Sequence, residues 1–290
     1  MIRHIEPFDN KNKPIVDIDN KIVPLVYFNR LFLNSNASTT YNLENHETMI
    51  VVVKGKVCVE VDDVKFSEVG KRDSLWTGKP EGVYAGKNSY VKITSISNNE
   101  SEIYIAGGKI DREYPPFYVD QNEVQKVQYG SDETKTHRKI YHLLGKNGEG
   151  RSGRLLVSEL FTVGKGGWSG FPPHKHDTDR LPIETKFDEV YQFRFNPKNG
   201  FGAQFLNPDE KSFGPVHHIK DGSTILIDKG YHPCVAAPGF QMYYFTIIVG
   251  KTQRSLVQYF HPDYEYQLET IPGIKAVSYT HLTLPTTVIV

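Results

Sequence analysis

Short strand-like runs separated by turn residues extend along most of the chain, and they limit the folds open to it. Residues 49–53 form a continuous apolar run, and residues 56–61 alternate polar and apolar side chains. Comparable runs follow at residues 90–96, 103–106, 155–161, 189–195, 224–227 and 242–249. Extended helical patterns are scarce, and residues 120–128 are the best candidate for a short helix. Many short strands with Gly- and Pro-containing turns predict an all-β sandwich or barrel.

A polar, proline-bearing and aperiodic stretch, Asp111–Lys135, lies near the middle of the chain. Boundaries between domains commonly fall in such stretches. A chain of 290 residues is long enough for two β-domains of ordinary size. We therefore expect a first domain over residues 1–125 and a second domain over residues 126–276.

Charge and cysteine content exclude several classes of function. Thirty-four basic residues balance thirty-four acidic ones, so neither nucleic acid nor an anionic membrane is expected as a partner. The sequence contains no apolar run of signal-peptide or membrane-spanning length. The only two cysteines, Cys58 and Cys234, lie far apart, which is typical of reduced, buried residues. These features predict a cytoplasmic protein.

The last fourteen residues, 277–290, differ in character from the rest. Residues 277–287 (Val-Ser-Tyr-Thr-His-Leu-Thr-Leu-Pro-Thr-Thr) resemble the in-frame translation of a sequencing adapter. We expect this segment to be an artefact, so that His281 has no function and the natural chain differs after about Ala276. An ordinary β-rich tail is the alternative.

Two histidines two residues apart are the first sign of a chemical site. In a strand, His174 and His176 project from the same face and Lys175 from the other. Two imidazoles on one face can bind a single metal ion. By itself such a pair is more often found on a surface than in a site, so further ligands are needed.

Two later segments offer such ligands. In the run at residues 187–195, Glu189 shares one face with Tyr191, Phe193 and Phe195, and a carboxylate among aromatic rings is costly to bury without a partner. His232 directly follows an apolar strand and a glycine turn. Three imidazoles and one carboxylate suit Zn²⁺, Mn²⁺ or Fe²⁺ and leave positions for substrate or water.

Several longer segments together resemble the 5-deoxy-glucuronate isomerase family of myo-inositol catabolism, within the cupin superfamily. They are residues 154–157, 172–177, 189–191, 200–204, 221–222, 230–233, 236–239 and 243–244. The resemblance implies a bicupin, that is, two double-stranded β-helix (jelly-roll) barrels. It implies one divalent ion in the second barrel and a metal-free first barrel with a structural or dimer-forming role, so a homo-oligomer is an open expectation. His46, the one histidine near a strand start in the first half, is expected to be a solvated loop residue.

The family's activity and ligands carry over as further expectations. The implied reaction converts 5-deoxy-D-glucuronate to 2-deoxy-5-keto-D-gluconate through an enediolate stabilised by the metal. The implied ligands are His174, His176, Glu189 and His232, with Glu184 as runner-up to Glu189. We expect Tyr191, and less strongly Tyr231, as catalytic residues, and Arg180, Gln204 and Tyr244 as substrate-binding residues. Strand alternation places Lys175 and Arg194 on the outer faces of their strands, where Lys175 is expected to serve the surface and Arg194 to be structural.

Three positions depart from the family pattern: Asp228, Gln192 and Phe205. We expect the last two to affect substrate contacts. Three alternatives remain open at this point. One is the ketol-isomerase of 4-deoxy-5-hexosulose-uronate in pectin breakdown. The second is an Fe²⁺-dependent cupin dioxygenase, and the third is a non-catalytic sugar-binding bicupin.

Overall fold

The structure is a computed structural model that describes residues 3–275. Strands dominate it, with two short 3-10 helices at Lys146–Gly148 and Glu265–Leu268. The strands of the first half are β1 (His4–Ile5), β2 (Pro14–Val16), β3 (Val26–Leu33), β4 (Ser38–Asn42), β5 (His46–Lys54), β6 (Val57–Val61), β7 (Val64–Val69), β8 (Gly82–Ala85), β9 (Tyr90–Ser95), β10 (Ser101–Lys109) and β11 (Phe117–Val119).

The strands of the second half continue this series. They are β12 (Gln125–Tyr129), β13 (Arg138–Leu144), β14 (Leu155–Thr162), β15 (Gly167–Ser169), β16 (His174–Lys175), β17 (Phe187–Asn196), β18 (Phe201–Phe205), β19 (Val216–Lys220), β20 (Thr224–Ile227), β21 (Cys234–Ala236), β22 (Gln241–Gly250) and β23 (Tyr259–Phe260). The all-β prediction is confirmed, and each predicted run falls on a strand. The predicted helix at residues 120–128 is wrong, because residues 125–129 pair with β13 as an antiparallel edge strand. The adapter-like segment at residues 277–290 lies outside the described residues.

The strands of residues 14–119 form two sheets. A six-stranded sheet has the order β11-β8-β5-β10-β3-β2, and a four-stranded sheet has the order β4-β9-β6-β7. Val and Ile side chains of both sheets form one buried cluster between them, with members such as Ile50, Val59, Ile93 and Ile105. Two antiparallel sheets with a shared apolar interior make a β-sandwich of the jelly-roll kind.

Residues 125–250 repeat this arrangement on a larger scale. A seven-stranded sheet has the order β1-β20-β17-β22-β14-β13-β12, and it faces a four-stranded sheet of order β15-β21-β18-β19. The layer between them is aromatic, with Tyr191, Phe193, Phe195 and Tyr244 packed on Ile225 and Leu206. Strand β1 is the exception to the division of the chain, since it pairs with β20 of this sheet. The domain boundary near residue 125 stays a prediction.

The six-stranded and seven-stranded sheets pack back to back. Their shared core joins Phe28, Met49 and Tyr104 of the first half to Phe161 and Phe245 of the second. Successive residues of a strand point to opposite faces of the sheet. Strands β13, β14, β17 and β22 therefore contribute one set of side chains to this layer and the other set to the interior of the second sandwich.

Buried ionic groups also cross this layer. Arg72 donates two hydrogen bonds, of 2.7 and 2.6 Å, to the carboxylate of Glu159, and both side chains are almost fully buried. Arg194 bonds Glu102 at 2.7 Å, so this side chain lies on the strand face opposite Glu189 and joins the two halves, in agreement with the structural role expected for it. Removing one partner of a buried ion pair leaves the other charge uncompensated and is strongly destabilising.

The start of β5 forms a second polar connection. Glu47 is fully buried and accepts hydrogen bonds from the Tyr84 hydroxyl and from the backbone amides of Gly153 and Leu155. His46 beside it is 4% exposed, and its Nδ1 lies 2.7 Å from the Glu44 carbonyl oxygen. The expectation of a solvated His46 is therefore wrong, because β5 enters the centre of its sheet at this residue.

The N-terminal strand is fastened to the second half by an ion pair. Arg3 binds Asp228 through two hydrogen bonds of 2.8 and 3.1 Å, which gives this departure from the family pattern a structural role. Both cysteines are unpaired and buried, as predicted. Within residues 3–275, no helix has the length and apolarity needed to cross a membrane.

Candidate metal centre

Three of the four predicted ligands form a compact buried cluster. Nε2 of His176 lies 3.0 Å from Oε2 of Glu189, and Nε2 of His232 lies 3.3 Å from the same oxygen. One potential ligand atom from each residue lies within 4.8 Å of the other two. All three side chains are at most 3% exposed, so the cluster is shielded from bulk water.

Each of the three residues is positioned by a different local structure. Glu189 lies in the middle of its sheet, since β17 pairs there with both β20 and β22. His176 follows β16, and its carbonyl oxygen accepts the amide of Phe187 at 2.9 Å. His232 follows a turn at Gly230, whose φ is +83° and where a Cβ would lie 2.4 Å from a backbone oxygen. This turn therefore requires glycine.

His174 adjoins the cluster without joining it. Its ring centroid lies 5.1 Å from that of His232 and 6.5 Å from that of His176. Its Nδ1 lies 3.2 Å from the Pro172 carbonyl oxygen, so Nε2 is the nitrogen left for a ligand. The side chain lines the same cavity as His176 and Glu189.

The donor set fits a divalent cation. Nδ1 of His232 lies 2.8 Å from the Gly230 carbonyl oxygen, so its buried Nε2 is the nitrogen that faces Glu189, at 3.3 Å. Burial by itself raises the pKa of Glu189, but hydrogen bonds and charges of His176 and His232 outweigh it and bring the pKa to about 2. Burial, with the neighbouring imidazoles, holds the pKa of His174 well below its ordinary value. A carboxylate that stays ionised beside a neutral imidazole is the state in which these groups bind metals.

The loop between the two histidines and Glu189 is held by Glu184. This fully buried carboxylate accepts the amides of Asp177 and Thr178 at 2.7 and 3.1 Å and the guanidinium of Arg180 at 2.9 Å. Its oxygens are thus used within the loop, which favours Glu189 as the ligand. Lys175 binds Asp177 at 3.0 Å and is 13% exposed, so the expectation that it faces outward is wrong.

A cavity of about 510 Å³ opens beside the cluster, inside the second sandwich. Side chains of β13, β14, β17 and β22 form its walls, and residues 254–260 contribute another side. Among the predicted residues, His174, His176, Glu189, Tyr191 and Tyr244 line it. The Tyr191 and Tyr244 rings are 4.6 Å apart. Burial raises the pKa of both phenols well above the ordinary value, and the Glu189 charge adds to this at Tyr191, so both remain neutral.

The cavity lining does not include Tyr231, Arg180 or Gln204. The Tyr231 hydroxyl donates to Glu210 at 2.6 Å. Arg180 is about two-fifths exposed and paired with Glu184. Gln204 donates hydrogen bonds to the carbonyl oxygens of His232 and Pro233, at 2.8 and 3.1 Å. These three side chains therefore support the loops around the cluster.

The two departures expected to affect substrate contacts also lie outside the lining. Gln192 accepts the Thr224 hydroxyl at 2.6 Å and shares the strand face of Val190, which belongs to the layer between the halves. Phe205 stacks on Trp168 with ring centroids 5.6 Å apart.

Sequence reasoning missed Arg138, which lines the cavity from β13 and is 3% exposed. A signal for it was present. Arg138, Ile140 and His142 share one face of this strand, and an arginine on a strand face that carries a large apolar residue is unusual unless it is paired or functional.

Comparison with known proteins identifies related sequences. The model of the KduI/IolB family matches residues 2–267. The 5-deoxy-glucuronate isomerase of Halalkalibacterium halodurans is 32% identical over 236 residues, covering 81% of this chain and 85% of that protein. The 5-deoxy-glucuronate isomerase of Bacillus subtilis strain 168 is 29% identical over 255 residues, covering 88% and 92%.

Solved structures agree with the fold. The crystal structure of an IolB-like protein from Salmonella typhimurium LT2 superposes with a TM-score of 0.76 at 25% identity, covering 83% of this chain and 89% of that one. A Bacillus subtilis oxalate decarboxylase has a TM-score of 0.57 at 10% identity, covering 91% and 77%, which supports the bicupin fold alone. With a family match that spans nearly all described residues, the chain belongs to the KduI/IolB family.

Proposed function

We propose that the protein is an aldose–ketose isomerase that converts 5-deoxy-D-glucuronate to 2-deoxy-5-keto-D-gluconate in myo-inositol degradation. The observation that carries this proposal is the buried cluster of His176, Glu189 and His232, of which His176 and Glu189 line a cavity of about 510 Å³. The names of the relatives at about 30% identity supply the substrate.

The reaction moves a proton from C2 of the sugar to C1, while the carbonyl group moves from C1 to C2. Negative charge develops on the two neighbouring oxygens as the first carbon–hydrogen bond breaks. His176, Glu189, His232 and His174 would hold a divalent ion, which would supply a Lewis acid for these oxygens. The burial of the ligands keeps water from competing for them.

Tyr191 is the proposed residue for handling a proton on a substrate oxygen. It lies on the Glu189 face of β17 and lines the cavity. Its ring centroid is 6.1 Å from that of His232. Among residues 3–275 its hydroxyl forms no side-chain hydrogen bond, so the phenol O–H is available to donate to a bound sugar. Tyr231, bound to Glu210, is assigned the lesser role of supporting the His232 loop.

The test follows 5-deoxy-D-glucuronate by proton NMR in D₂O with Mn²⁺- or Zn²⁺-loaded protein. We expect the aldehyde signal to disappear, the ketose to appear, and deuterium to enter at C1. His176→Ala and His174→Ala, each checked for folding by circular dichroism, should abolish turnover. Tyr191→Phe should lower kcat roughly 100-fold with little change in KM, in the range found for general acid–base groups.

The alternatives are assayed with the same preparation. Turnover of 4-deoxy-5-hexosulose-uronate, and none of 5-deoxy-D-glucuronate, would assign the protein to the pectin reaction. Oxygen consumption with Fe²⁺ would indicate a dioxygenase. Metal-dependent sugar binding without turnover would leave a binding protein and would refute the isomerase proposal.

A further inference from the structure

Arg138 is a buried cation in the cavity without a negative partner. Its guanidinium donates to the hydroxyls of Tyr129 and Tyr244, at 2.9 and 2.7 Å. No carboxylate within residues 3–275 forms an ion pair with it, and its buried Nε has no hydrogen-bond partner. An isolated charge in a protein interior is unfavourable unless something compensates it.

The two tyrosines orient the guanidinium but do not neutralise it. An arginine has five N–H donors in a planar fork, and two of the three nitrogens are engaged by these hydroxyls. The same rings lie 5.6 and 6.0 Å from the guanidinium carbon. The side chain is therefore held in one place with donors to spare, which is the preorganised state that binds a carboxylate well.

The other cations of the cavity are less suited to this task. Arg254 is occupied by backbone carbonyl oxygens, among them those of Leu155 at 2.7 Å and Gly145 at 2.8 Å. Lys146 is exposed, so water screens its charge. Three lysine and arginine residues line the cavity. Among them, only Arg138 is fully buried and still has an N–H group without an acceptor.

A chain of ring contacts joins Arg138 to the metal cluster. The Tyr244 hydroxyl accepts from Arg138, the Tyr244 ring packs on Tyr191, and the Tyr191 ring packs on His232. The sugar acid carries its carboxylate at the opposite end of the carbon chain from the aldehyde. Its two functional ends therefore require a cation and a metal at separate points of one cavity.

We propose that Arg138 binds the carboxylate of the sugar acid, with Tyr129 and Tyr244 holding its guanidinium in place. This inference rests on the proposed function, since it assigns the second end of the same substrate. It replaces Arg180 and Gln204 as the carboxylate contact.

The test uses ligands that cannot react. One is the alcohol formed by reducing C1 of 5-deoxy-D-glucuronate, and the other is the same compound with a CH₂OH group in place of the carboxylate. Their affinities for the Mn²⁺-loaded protein are measured by calorimetry. We expect the unaltered protein to bind the acid roughly 10- to 100-fold more tightly, the range for a hydrogen bond to a charged group. Arg138→Met should bind both compounds alike, with the neutral one unchanged.

Two control variants distinguish a carboxylate contact of Arg138 from a purely structural role of that residue. Arg151→Met removes an exposed arginine whose carboxylate partner is Glu123, and it should keep the full preference for the acid. If Arg138→Met does not fold, Arg138→Gln, which can still donate to a tyrosine hydroxyl, takes its place. Loss of the preference in whichever of the two variants folds supports the proposal.

Two results overturn the proposal: equal binding of both compounds by the unaltered protein, or a preference that survives in a folded Arg138 variant. These measurements do not depend on turnover. A protein that prefers the acid through Arg138 but does not isomerise 5-deoxy-D-glucuronate would refute the proposed function and leave this contact intact.

Discussion

The side-chain amide of Gln204 donates a hydrogen bond of 2.8 Å to the carbonyl oxygen of His232. The glutamine is fully buried in β18, and it also binds the neighbouring Pro233 carbonyl at 3.1 Å. A buried amide thus fixes the backbone that carries one proposed ligand. Groups that orient metal ligands in this way contribute substantially to affinity.

Gln204→Leu is expected to weaken metal binding roughly 10- to 100-fold, as measured by calorimetry with Mn²⁺, because the His232 backbone loses its support. The acid preference of the protein should be retained. The matched control is Gln192→Leu, which removes another fully buried glutamine from the face turned away from the cavity. Equal metal affinity in both variants would contradict the assigned role of Gln204.

Glu189→Gln is expected to lower metal affinity by roughly 100-fold or more, since it removes the one negative charge of the cluster while keeping its shape. Metal content after dialysis is the measurement. Glu184→Gln tests the other candidate ligand, and we expect that variant to keep its metal and to lose thermal stability through the loop. If only Glu184→Gln loses its metal, Glu184 is the ligand and Glu189 is not.

Glu159→Ala is expected to cost about 3–5 kcal/mol of unfolding free energy, because it leaves the buried Arg72 without its partner. The double variant Arg72→Met/Glu159→Met should recover a large part of that loss. Urea denaturation of both variants and of the unaltered protein gives the comparison. If the double variant is no more stable than Glu159→Ala, the stability lost in Glu159→Ala does not come from an unpaired Arg72 charge. The ion pair itself would then stabilise the folded protein.

His46 is expected to make the protein less stable in mild acid. Burial, reinforced by the Lys109 charge and only partly offset by the Glu44 carbonyl, lowers the pKa of His46. The unfolded chain then binds a proton at a pH where the folded chain does not. This contribution to stability is present above the ordinary histidine pKa and is lost as the pH falls below it. His46→Gln should therefore lose less stability between pH 7.5 and pH 5.5, as measured by urea denaturation. Equal losses would contradict the assignment.

The strands were predictable because their signal is local. Runs such as residues 242–249 carry β-branched and aromatic side chains whose pattern needs no knowledge of the partner strand. Residues 125–129 gave no such signal, since three of the five are exposed and they become a strand only through pairing with β13. Long-range pairing of this kind overrides a weak local pattern.

The site residues also fall into those that local sequence predicts and those that depend on contacts distant in sequence. The spacing of His174 and His176, the inward face of Glu189 and the turn before His232 are readable from neighbouring residues. Arg180 illustrates the opposite case. It lies between the ligands in sequence, but Glu184 four residues later binds it. Arg138, the buried cavity cation with an unused donor, belongs to a strand distant in sequence from every ligand.

Alternate residues of strand β22 point to the cavity and to the core between the two halves. Tyr244, Thr246 and Ile248 line the cavity, whereas Tyr243, Phe245 and Ile247 belong to the core shared with the first half. A single-residue insertion or deletion within the strand would exchange the two sets beyond that point. It would place core residues in the cavity and cavity residues in the contact between the halves. Changes in the length of β22 during evolution are therefore expected at its ends, while its interior varies only by substitution.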